Sequence, residues 1–150
     1  NYGGRKKAIP KRAATAQLIV KEISTILSQD ASAEIVLLGD FNEDPDEMNV
    51  QSLKTVGLTS LMEPMLGMEK VGTYVYRGED LFYDQIIVSE GLKDKKGLGF
   101  DSESVMILDL PKYRQQEGDY AHYPFRFWAG DRLLGGYSDH LAVRVTIIKI

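Results

Sequence analysis

The chain has 150 residues, no cysteine, two histidines and a formal net charge of −4. The missing cysteines exclude a disulfide scaffold, a thiolate zinc site and a cysteine nucleophile, and two histidines cannot form a three-histidine zinc site. No run reaches the roughly 20 apolar residues of a membrane helix, and the first residues do not resemble a signal segment. The length suits about one domain, while the start at Asn1 rather than methionine predicts a mature or excised piece.

The positive charges are unevenly distributed along the chain. Residues 5–12 hold five of the eighteen Lys and Arg side chains and no acid, so thirteen basic side chains accompany twenty-two acidic ones elsewhere. The basic segment can steer a phosphate toward a site, or it is a solvated, flexible terminus. The acidic remainder argues against a protein that coats nucleic acid through phosphate contacts.

The first half of the chain predicts two helices with a strand between them. Apolar residues at three- and four-residue spacing predict a helix over residues 11–29 with one buried stripe. Residues 34–40 form a short apolar run with β-branched residues, which predicts a strand buried on both faces. A second helix is predicted after a polar turn, because Asp44 can cap it, Pro45 suits its first position and Gly57 ends it. The stripe of the first helix comprises Ala13, Ala16, Ile19, Val20, Ile23, Ile26 and Leu27.

The second half of the chain has the composition of strands and loops. Stretches rich in Val, Ile, Tyr and Thr, separated by Gly and charged residues, predict four strands. Residues 90–100 and 111–136 are predicted loops, and the second is long enough to predict a functional segment or one ordered by a partner. No repeat or linker divides the chain, which predicts one domain or part of one. The four strands cover residues 73–76, 82–89, 104–108 and 141–150.

A carboxylate and a carboxamide stand two residues apart in the motif GDFN, residues 39–42, at the carboxyl end of the first predicted strand. α/β sheets often present ligand-binding groups at this position. If the backbone stays extended, Asp40 and Asn42 point the same way, so that one orients water and the other donates to an anion. The same residues also suit an ordinary turn. A calcium-binding EF-hand loop is excluded, because Pro45 occupies the required glycine position and Gln51 the required glutamate position.

A second polar motif, GGYSDH at residues 135–140, precedes the last predicted strand. Neighbouring residues on an extended chain point apart, so Asp139 would serve a cation and His140 a phosphate oxygen, with a further carboxylate orienting the imidazole. Asp84 is a candidate for that carboxylate, because an acid in an apolar strand is costly unless it is paired. A β-turn and an exposed strand edge are the respective alternatives. His122 lies among aromatic residues and is interpreted as loop packing rather than as a catalytic group.

Taken in order, three motifs resemble the endonuclease/exonuclease/phosphatase superfamily: GDFN at residues 39–42, YDQIIVS at residues 83–89 and YSDH at residues 137–140. Its members include apurinic/apyrimidinic endonucleases, pancreatic-type deoxyribonucleases, neutral sphingomyelinases and inositol polyphosphate 5-phosphatases. These proteins hydrolyse phosphoesters with a divalent cation, commonly magnesium. The Gly-Gly-Arg before the first helix and the Gly-Gly-Tyr before Ser138 most resemble bacterial members, including those of Bacteroidetes.

The resemblance implies a role for each matching residue. Asp40 would orient or deprotonate the attacking water and is also a candidate metal ligand, while Asn42 would hold the nucleophile or the phosphate. Asp84 would orient His140, which would hydrogen-bond the scissile phosphate and stabilise the charge of the transition state. Asp139 would bind Mg2+, Mn2+ or Ca2+ directly or through water. Such a site acts by positioning and electrostatics, without a covalent nucleophile.

The resemblance also implies that much of the domain lies elsewhere. The superfamily fold is a four-layered α/β sandwich with a mostly antiparallel mixed sheet. Its first half supplies an early Asn, the chief metal-binding Glu and a His or Tyr near the phosphate. None of these is found here, so residues 1–150 resemble the C-terminal half of the domain. We therefore expect a metal-dependent phosphodiesterase, endonuclease or phosphatase in the longer parent protein, with this piece inactive, binding cations weakly and self-associating through an open sheet face.

Two interpretations of different class stay open. A hydrolase predicts that Asp40, Asn42, Asp84 and His140 converge on one point, whereas a non-catalytic binding module predicts a cleft dominated by the aromatic side chains of residues 111–136. The substrate class stays open among nucleic acid, phospholipid and small phosphoester, because loops rather than the fold choose the substrate. A secreted or periplasmic location of the parent is one alternative for its compartment.

Overall fold

The computed structural model describes residues 5–150, with side chains from residue 7 onward. The side chains of Arg5 and Lys6, which belong to the predicted basic segment, lie outside the described residues. No helix among residues 5–150 is both long and apolar enough to cross a bilayer. The elements are α1 (Arg5–Gln29), β1 (Val36–Asp40), α2 (Met48–Lys54), β2 (Leu58–Ser60), β3 (Tyr74–Tyr76), β4 (Glu79–Leu81), β5 (Asp84–Ser89), β6 (Leu98–Ile107), β7 (Trp128–Ala129), β8 (Arg132–Leu133) and β9 (Val143–Lys149), with 3-10 turns at Glu63–Met65, Glu90–Leu92 and Pro111–Tyr113.

Strand β5 lies at the centre of a layered α/β structure, and it pairs antiparallel with β1 on one side and β2 on the other. Helices α1 and α2 cover one face of this sheet, and the antiparallel pair β6–β9 packs against the other. The predicted α/β class is therefore confirmed. The cluster under the helices comprises Ile23, Val50, Leu53, Leu58 and Ile87, and the cluster on the opposite face comprises Met62, Phe82 and Ile86.

Helix α1 begins six residues earlier than the prediction from residue 11, and it continues through Pro10. Proline lacks the backbone N–H of a helical hydrogen bond, so α1 continues through Pro10 without one of its backbone bonds. The predicted stripe faces the core at Ala16 and Ile23, which are buried, whereas Ile26 at its edge is exposed.

Helix α2 is shorter than predicted, because it begins at Met48 rather than Pro45. Asp44 does not cap it. The Asp44 carboxylate instead accepts a hydrogen bond from the backbone N–H of Phe82, and the Glu47 carboxylate accepts one from the N–H of Asp44. The prediction of the helix start was therefore wrong, since a partner distant in the sequence engages the capping side chain.

Strand β1 is not buried on both faces as predicted. Val36 is 40% exposed and Leu38 is 64% exposed, while Ile35 and Leu37 pack against the helix-side cluster. The reason is that β1 lies at the edge of the described sheet and helices cover only one of its faces. Val36 and Leu38 therefore form an apolar strip on the outward face of β1.

The second half contains more pairing than the composition predicts. β3 and β4 form a hairpin. β6 begins at residue 98, so it takes up the last residues of the predicted loop 90–100. The long segment 111–136 contains the β7–β8 hairpin and the bridge between Arg114 and Pro124. Backbone hydrogen bonds within the segment therefore close it on itself.

Candidate active site

Two carboxylates face each other across the β1–β5 ladder. The antiparallel register places Asp40, at the end of β1, directly opposite Asp84, at the start of β5. Directly opposed residues of an antiparallel pair project their side chains on the same face of the sheet. The topology therefore brings together two acids that are far apart in the sequence.

The turn after β1 departs from the extended geometry considered for GDFN. Asn42 adopts a left-handed backbone conformation with φ 53°, which asparagine tolerates better than most residues. Its backbone N–H donates to Asp40 Oδ1 and its Nδ2 to Asp40 Oδ2, both at 2.8 Å. Phe41 packs against the helix-side cluster. Asp40 and Asn42 thus meet in a tight turn, in which the backbone N–H of Asn42 holds one carboxylate oxygen and its carboxamide holds the other.

Buried polar groups hold this turn from below. Glu43 is only 5% exposed and accepts hydrogen bonds from Arg12 Nε at 2.8 Å and from Asn49 Nδ2 at 2.6 Å. The buried Gln85 side chain donates to the carbonyl of Glu43 and accepts from Ser60 Oγ. Buried polar networks rigidify their surroundings to the extent that they are satisfied, and among the described residues Arg12 Nη1 is the one buried side-chain polar atom that lacks a hydrogen-bond partner. The backbone position of Asn42 is therefore set by helix α1, helix α2 and strand β5 together.

His140 forms the closest polar contact to Asp84. Its Nδ1 lies 2.7 Å from Asp84 Oδ2, with 23% and 17% of the two side chains exposed. This hydrogen bond is the main cause of a raised pKa of His140; burial opposes the shift, and the charges of Asp84, Asp40 and Asp139 add to it. The carboxylate engages Nδ1, so Nε2 is the ring nitrogen available to a ligand.

The start of the β3–β4 hairpin is hydrogen-bonded both to the backbone of Asp84 and to the backbone next to His140. The Thr73 carbonyl accepts from the N–H of Leu141 at 2.7 Å, and Thr73 Oγ1 accepts from the N–H of Asp84 at 3.1 Å. Tyr74 forms an isolated antiparallel bridge with His140. The backbone on both sides of the Asp84–His140 contact is therefore tied to one short strand.

The polar residues share one open cavity of about 390 Å³. Sequence reasoning did not identify the three tyrosines of its wall. The strand pattern of residues 73–76 would have placed Tyr74 and Tyr76 on one face, but only the pairing with His140 shows that this face borders the cavity. Asp84 lies behind His140 rather than in the wall. The cavity is lined by Asp40, Asn42, Tyr74, Tyr76, Tyr83, Asp139 and His140.

The aromatic residues of segment 111–136 do not line this cavity. Tyr120, Phe127 and Trp128 are exposed. His122 is also exposed, with φ 72°, and it closes its loop through backbone bonds, because its N–H donates to the carbonyl of Gln115. Its side chain therefore does not fill the loop interior as interpreted, and it lies outside the wall of the His140 cavity.

The described residues do not form a metal site on their own. Among residues 5–150, no three acidic, histidine or cysteine side chains lie close enough together to hold an ion. Asp139 and Asp40 line the same cavity, but Asn42 occupies both oxygens of Asp40. Magnesium requires six oxygen ligands in a near-octahedral arrangement. With at most two carboxylates near each other and no third acidic, histidine or cysteine side chain among residues 5–150, the chain supplies too few ligands to hold the cation firmly on its own.

The sequence of residues 1–149 matches the model of a family described as the Endonuclease/Exonuclease/phosphatase family. The chain belongs to this family. Among solved structures, it is similar to a mannosyl-6-phosphatase from Bacteroides thetaiotaomicron VPI-5482, with a TM-score of 0.50 and 19% sequence identity. No curated protein sequence is significantly similar to it.

Membership in the endonuclease/exonuclease/phosphatase family confirms the resemblance recognised in the sequence motifs. The likeness to the solved structure shows a shared fold; it covers 99% of this chain and 48% of that one. The chain thus spans about half the length of that protein. Members of the family are phosphoesterases and generally depend on a divalent cation.

Proposed function

We propose that the chain is part of a phosphoester hydrolase in which Asp40, Asn42, Asp84 and His140 act on the phosphate group. One observation carries the proposal: the 2.7 Å contact between Asp84 and His140 lies beside the hydrogen-bonded pair of Asp40 and Asn42, at a single cavity. Family membership supports the reaction class.

In this proposal His140 is the electrostatic partner of the phosphate. A raised pKa keeps more of its ring protonated near neutral pH. The protonated ring donates from Nε2 to a phosphate oxygen, where negative charge increases as the attacking water approaches phosphorus. Asp84 keeps Nδ1 protonated and directed away from the substrate, as an orienting carboxylate does for other histidines.

Asp40 acts on the attacking water. It accepts the proton of the water while the water oxygen bonds to phosphorus and the bond from phosphorus to the leaving oxygen breaks. A carboxylate must be correctly directed to do this, because general bases act within hydrogen-bonding reach. Asn42 supplies this direction through its two hydrogen bonds to Asp40.

We further propose that residues 1–150 form the C-terminal half of the family's domain. The 48% coverage of the similar structure supports this division. Mg2+ is the cation expected in the whole protein, with Asp139 and Asp40 each a candidate to contribute an oxygen, and the chain alone binds it weakly. Calorimetric titration of the chain with magnesium chloride tests this point, and micromolar affinity would contradict it.

A small phosphomonoester is the first substrate class to test, ahead of nucleic acid and phospholipid. The support is the name of the similar structure, a mannosyl-6-phosphatase, together with the excess of acidic side chains in the body of this chain. A strongly acidic body repels a polyanion such as nucleic acid.

Phosphate release from a monoester, a diester and a short DNA duplex tests the reaction class. The assay compares the chain, the longer protein that contains it, and that longer protein carrying His140→Ala. We expect turnover only in the unsubstituted longer protein. Wild-type turnover by the His140→Ala variant would remove His140 from the proposed mechanism, and equal activity of the chain alone would contradict the half-domain proposal. His122→Ala is the matched control, because His122 lies outside the His140 cavity.

A non-catalytic binding module is the second candidate, favoured by the exposed aromatic side chains of segment 111–136. Phe127 and Trp128 form an edge-to-face pair with ring centroids 5.9 Å apart while both remain exposed. Exposed aromatic groups are common anchors of interfaces. If every phosphoester assay of the longer protein is negative, loss of ligand binding in a Trp128→Ala variant would support the module.

Self-association of the isolated chain is a related proposal. The outward residues Val36 and Leu38 give a second copy an apolar strip, and among residues 5–150 no strand pairs with the outer edge of β1. Light scattering over a range of concentrations tests it. A Leu38→Lys variant should remain monomeric, and an unchanged association state in that variant would show that β1 is not the contact.

A further inference from the structure

The orientation of the His140 ring depends on more than its hydrogen bond. Asp84 contacts the ring at one atom, Nδ1. A hydrogen bond tolerates roughly 30° of misalignment, so this contact alone leaves the ring plane free to tilt. A tilt displaces Nε2, the nitrogen that would meet the substrate. A second contact against the flat face of the ring is needed to fix the plane.

Tyr74 provides a contact of this kind. Its ring centroid lies 4.8 Å from that of His140, with 34° between the two planes. The backbone of Tyr74 also forms an isolated bridge with the backbone of His140, and this bridge fixes the distance between the two main chains. Aromatic rings at such separations attract each other by about 0.5–1.5 kcal/mol beyond the area they bury.

The Tyr74 ring is itself supported. It stacks on Tyr83 with centroids 5.3 Å apart and 16° between the planes. Tyr83 is buried and immediately precedes Asp84, the residue that holds Nδ1. Strand β5 therefore contributes to both restraints on His140: Asp84 acts directly on the ring edge, and Tyr83 acts through Tyr74 on the ring face.

We propose that Tyr74 is a positioning residue that fixes the plane of the His140 imidazole and thereby the direction of Nε2. The functional importance of this role rests on the proposed hydrolase function, but the restraint itself does not. The ring of Tyr74, rather than its hydroxyl group, is the part that acts. Tyr76, two residues further along β3, is 50% exposed and contacts Arg77 instead.

Proton NMR of the chain at about pH 5, well below the ordinary histidine pKa, tests the restraint without any substrate and without a difference in ring protonation. His122 has no aromatic contact among the described residues, so it supplies an internal reference. We expect the carbon-bound ring protons of His140 to lie upfield of those of His122, and the Nδ1 proton to give a slowly exchanging downfield signal. Tyr74→Phe should keep both signatures, whereas Tyr74→Leu should lose the upfield shift and broaden the Nδ1 signal.

The control variant is Tyr76→Leu, which removes a tyrosine from the same cavity wall and should leave both His140 signatures in place. Unshifted His140 ring protons in the unsubstituted chain would overturn the proposal, and this measurement holds even if Tyr74→Leu fails to fold. Unchanged signals in a folded Tyr74→Leu variant would overturn it as well.

A kinetic measurement on the longer protein then separates this proposal from the hydrolase proposal. If that protein turns over a phosphoester, Tyr74→Leu should reduce kcat on the order of 10-fold, since small misplacements of reacting groups are costly, while Tyr74→Phe restores it. Inactivity of the longer protein contradicts the hydrolase and leaves the NMR result standing. A kcat equal to that of the unsubstituted protein in Tyr74→Leu would show that the restraint does not matter for turnover.

Discussion

Replacing Asp84 by asparagine isolates the charge of the contact with His140. The carboxamide keeps an oxygen that can accept from Nδ1 but removes the negative charge. A hydrogen bond between charged groups is worth about 1.5–3 kcal/mol and a neutral one about 0.5–1.5 kcal/mol. The side chains are 17% and 23% exposed, so solvent screens part of the charge. We therefore expect Asp84→Asn to lower the free energy of unfolding by about 1 kcal/mol when His140 is protonated.

The loss should depend on pH with a definite sign. The hydrogen bond to Asp84 raises the pKa of His140 in the folded chain. Its stabilisation is therefore complete below the unfolded histidine pKa of about 6.5 and disappears as pH rises through the folded pKa. Above the folded pKa the His140 ring is neutral, and Asp84→Asn also relieves repulsion from Asp40, which lies opposite it. The difference in stability should then fall to zero or reverse.

NMR follows the titration of His140, and urea denaturation then measures the difference at about pH 6 and at a pH above that titration. Asp131→Asn is the control, because Asp131 is exposed and its replacement removes the same formal charge. An equal loss of stability at both pH values would refute the charge-assisted pair, as would an unchanged His140 pKa in Asp84→Asn.

Two further predictions concern packing. Leu53 is 1% exposed in the helix-side cluster, so Leu53→Ala should cost about 2–5 kcal/mol in the free energy of unfolding measured with urea; Leu38→Ala on the exposed side of β1 should cost no more than about 0.5 kcal/mol, and equal losses would place Leu53 outside the core. A Cβ on Gly91 would lie 2.2 Å from the carbonyl oxygen of Ser32, whereas one on Gly99 would meet the end of a flexible side chain. Gly91→Ala should therefore lower the thermal midpoint more than Gly99→Ala does, on the basis of about 1–3 kcal/mol for overpacking, and the opposite order would contradict this account.

Local patterns predicted the elements that depend on local chemistry. The three- and four-residue spacing located α1 because one face of it packs on the sheet, and the apolar run before Asp40 located β1. The start of α2 could not be predicted in the same way. Asp44 has the chemistry of a helix cap, but its carboxylate accepts a hydrogen bond from Phe82, which lies between β4 and β5 and which no local pattern connects to Asp44.

The candidate site was likewise predicted where its residues form local motifs and missed where it depends on contacts distant in the sequence. The motifs around Asp40, Asp84 and His140 were visible in the sequence, and the register of β1 and β5 brings the first two together. The roles assigned to these residues stay predictions. The tyrosines that line the cavity were missed. Tyr74 borders the cavity only because it pairs with His140, and such long-range pairing leaves no periodic signal in the sequence.

The backbone restraints on His140 bear on how this protein can diversify. The residue is tied to β3 on one side and leads into β9 on the other, while the preceding segment 111–136 is closed by its own backbone bonds. The carbonyl of Phe125 accepts from the N–H of Tyr137, three residues before His140, so this part of the segment supports the histidine. The β7–β8 hairpin does not line the His140 cavity. Loops tolerate insertion far better than strands. Changes confined to the turn of that hairpin can thus alter the exposed aromatic surface while His140 keeps its pairing with Tyr74.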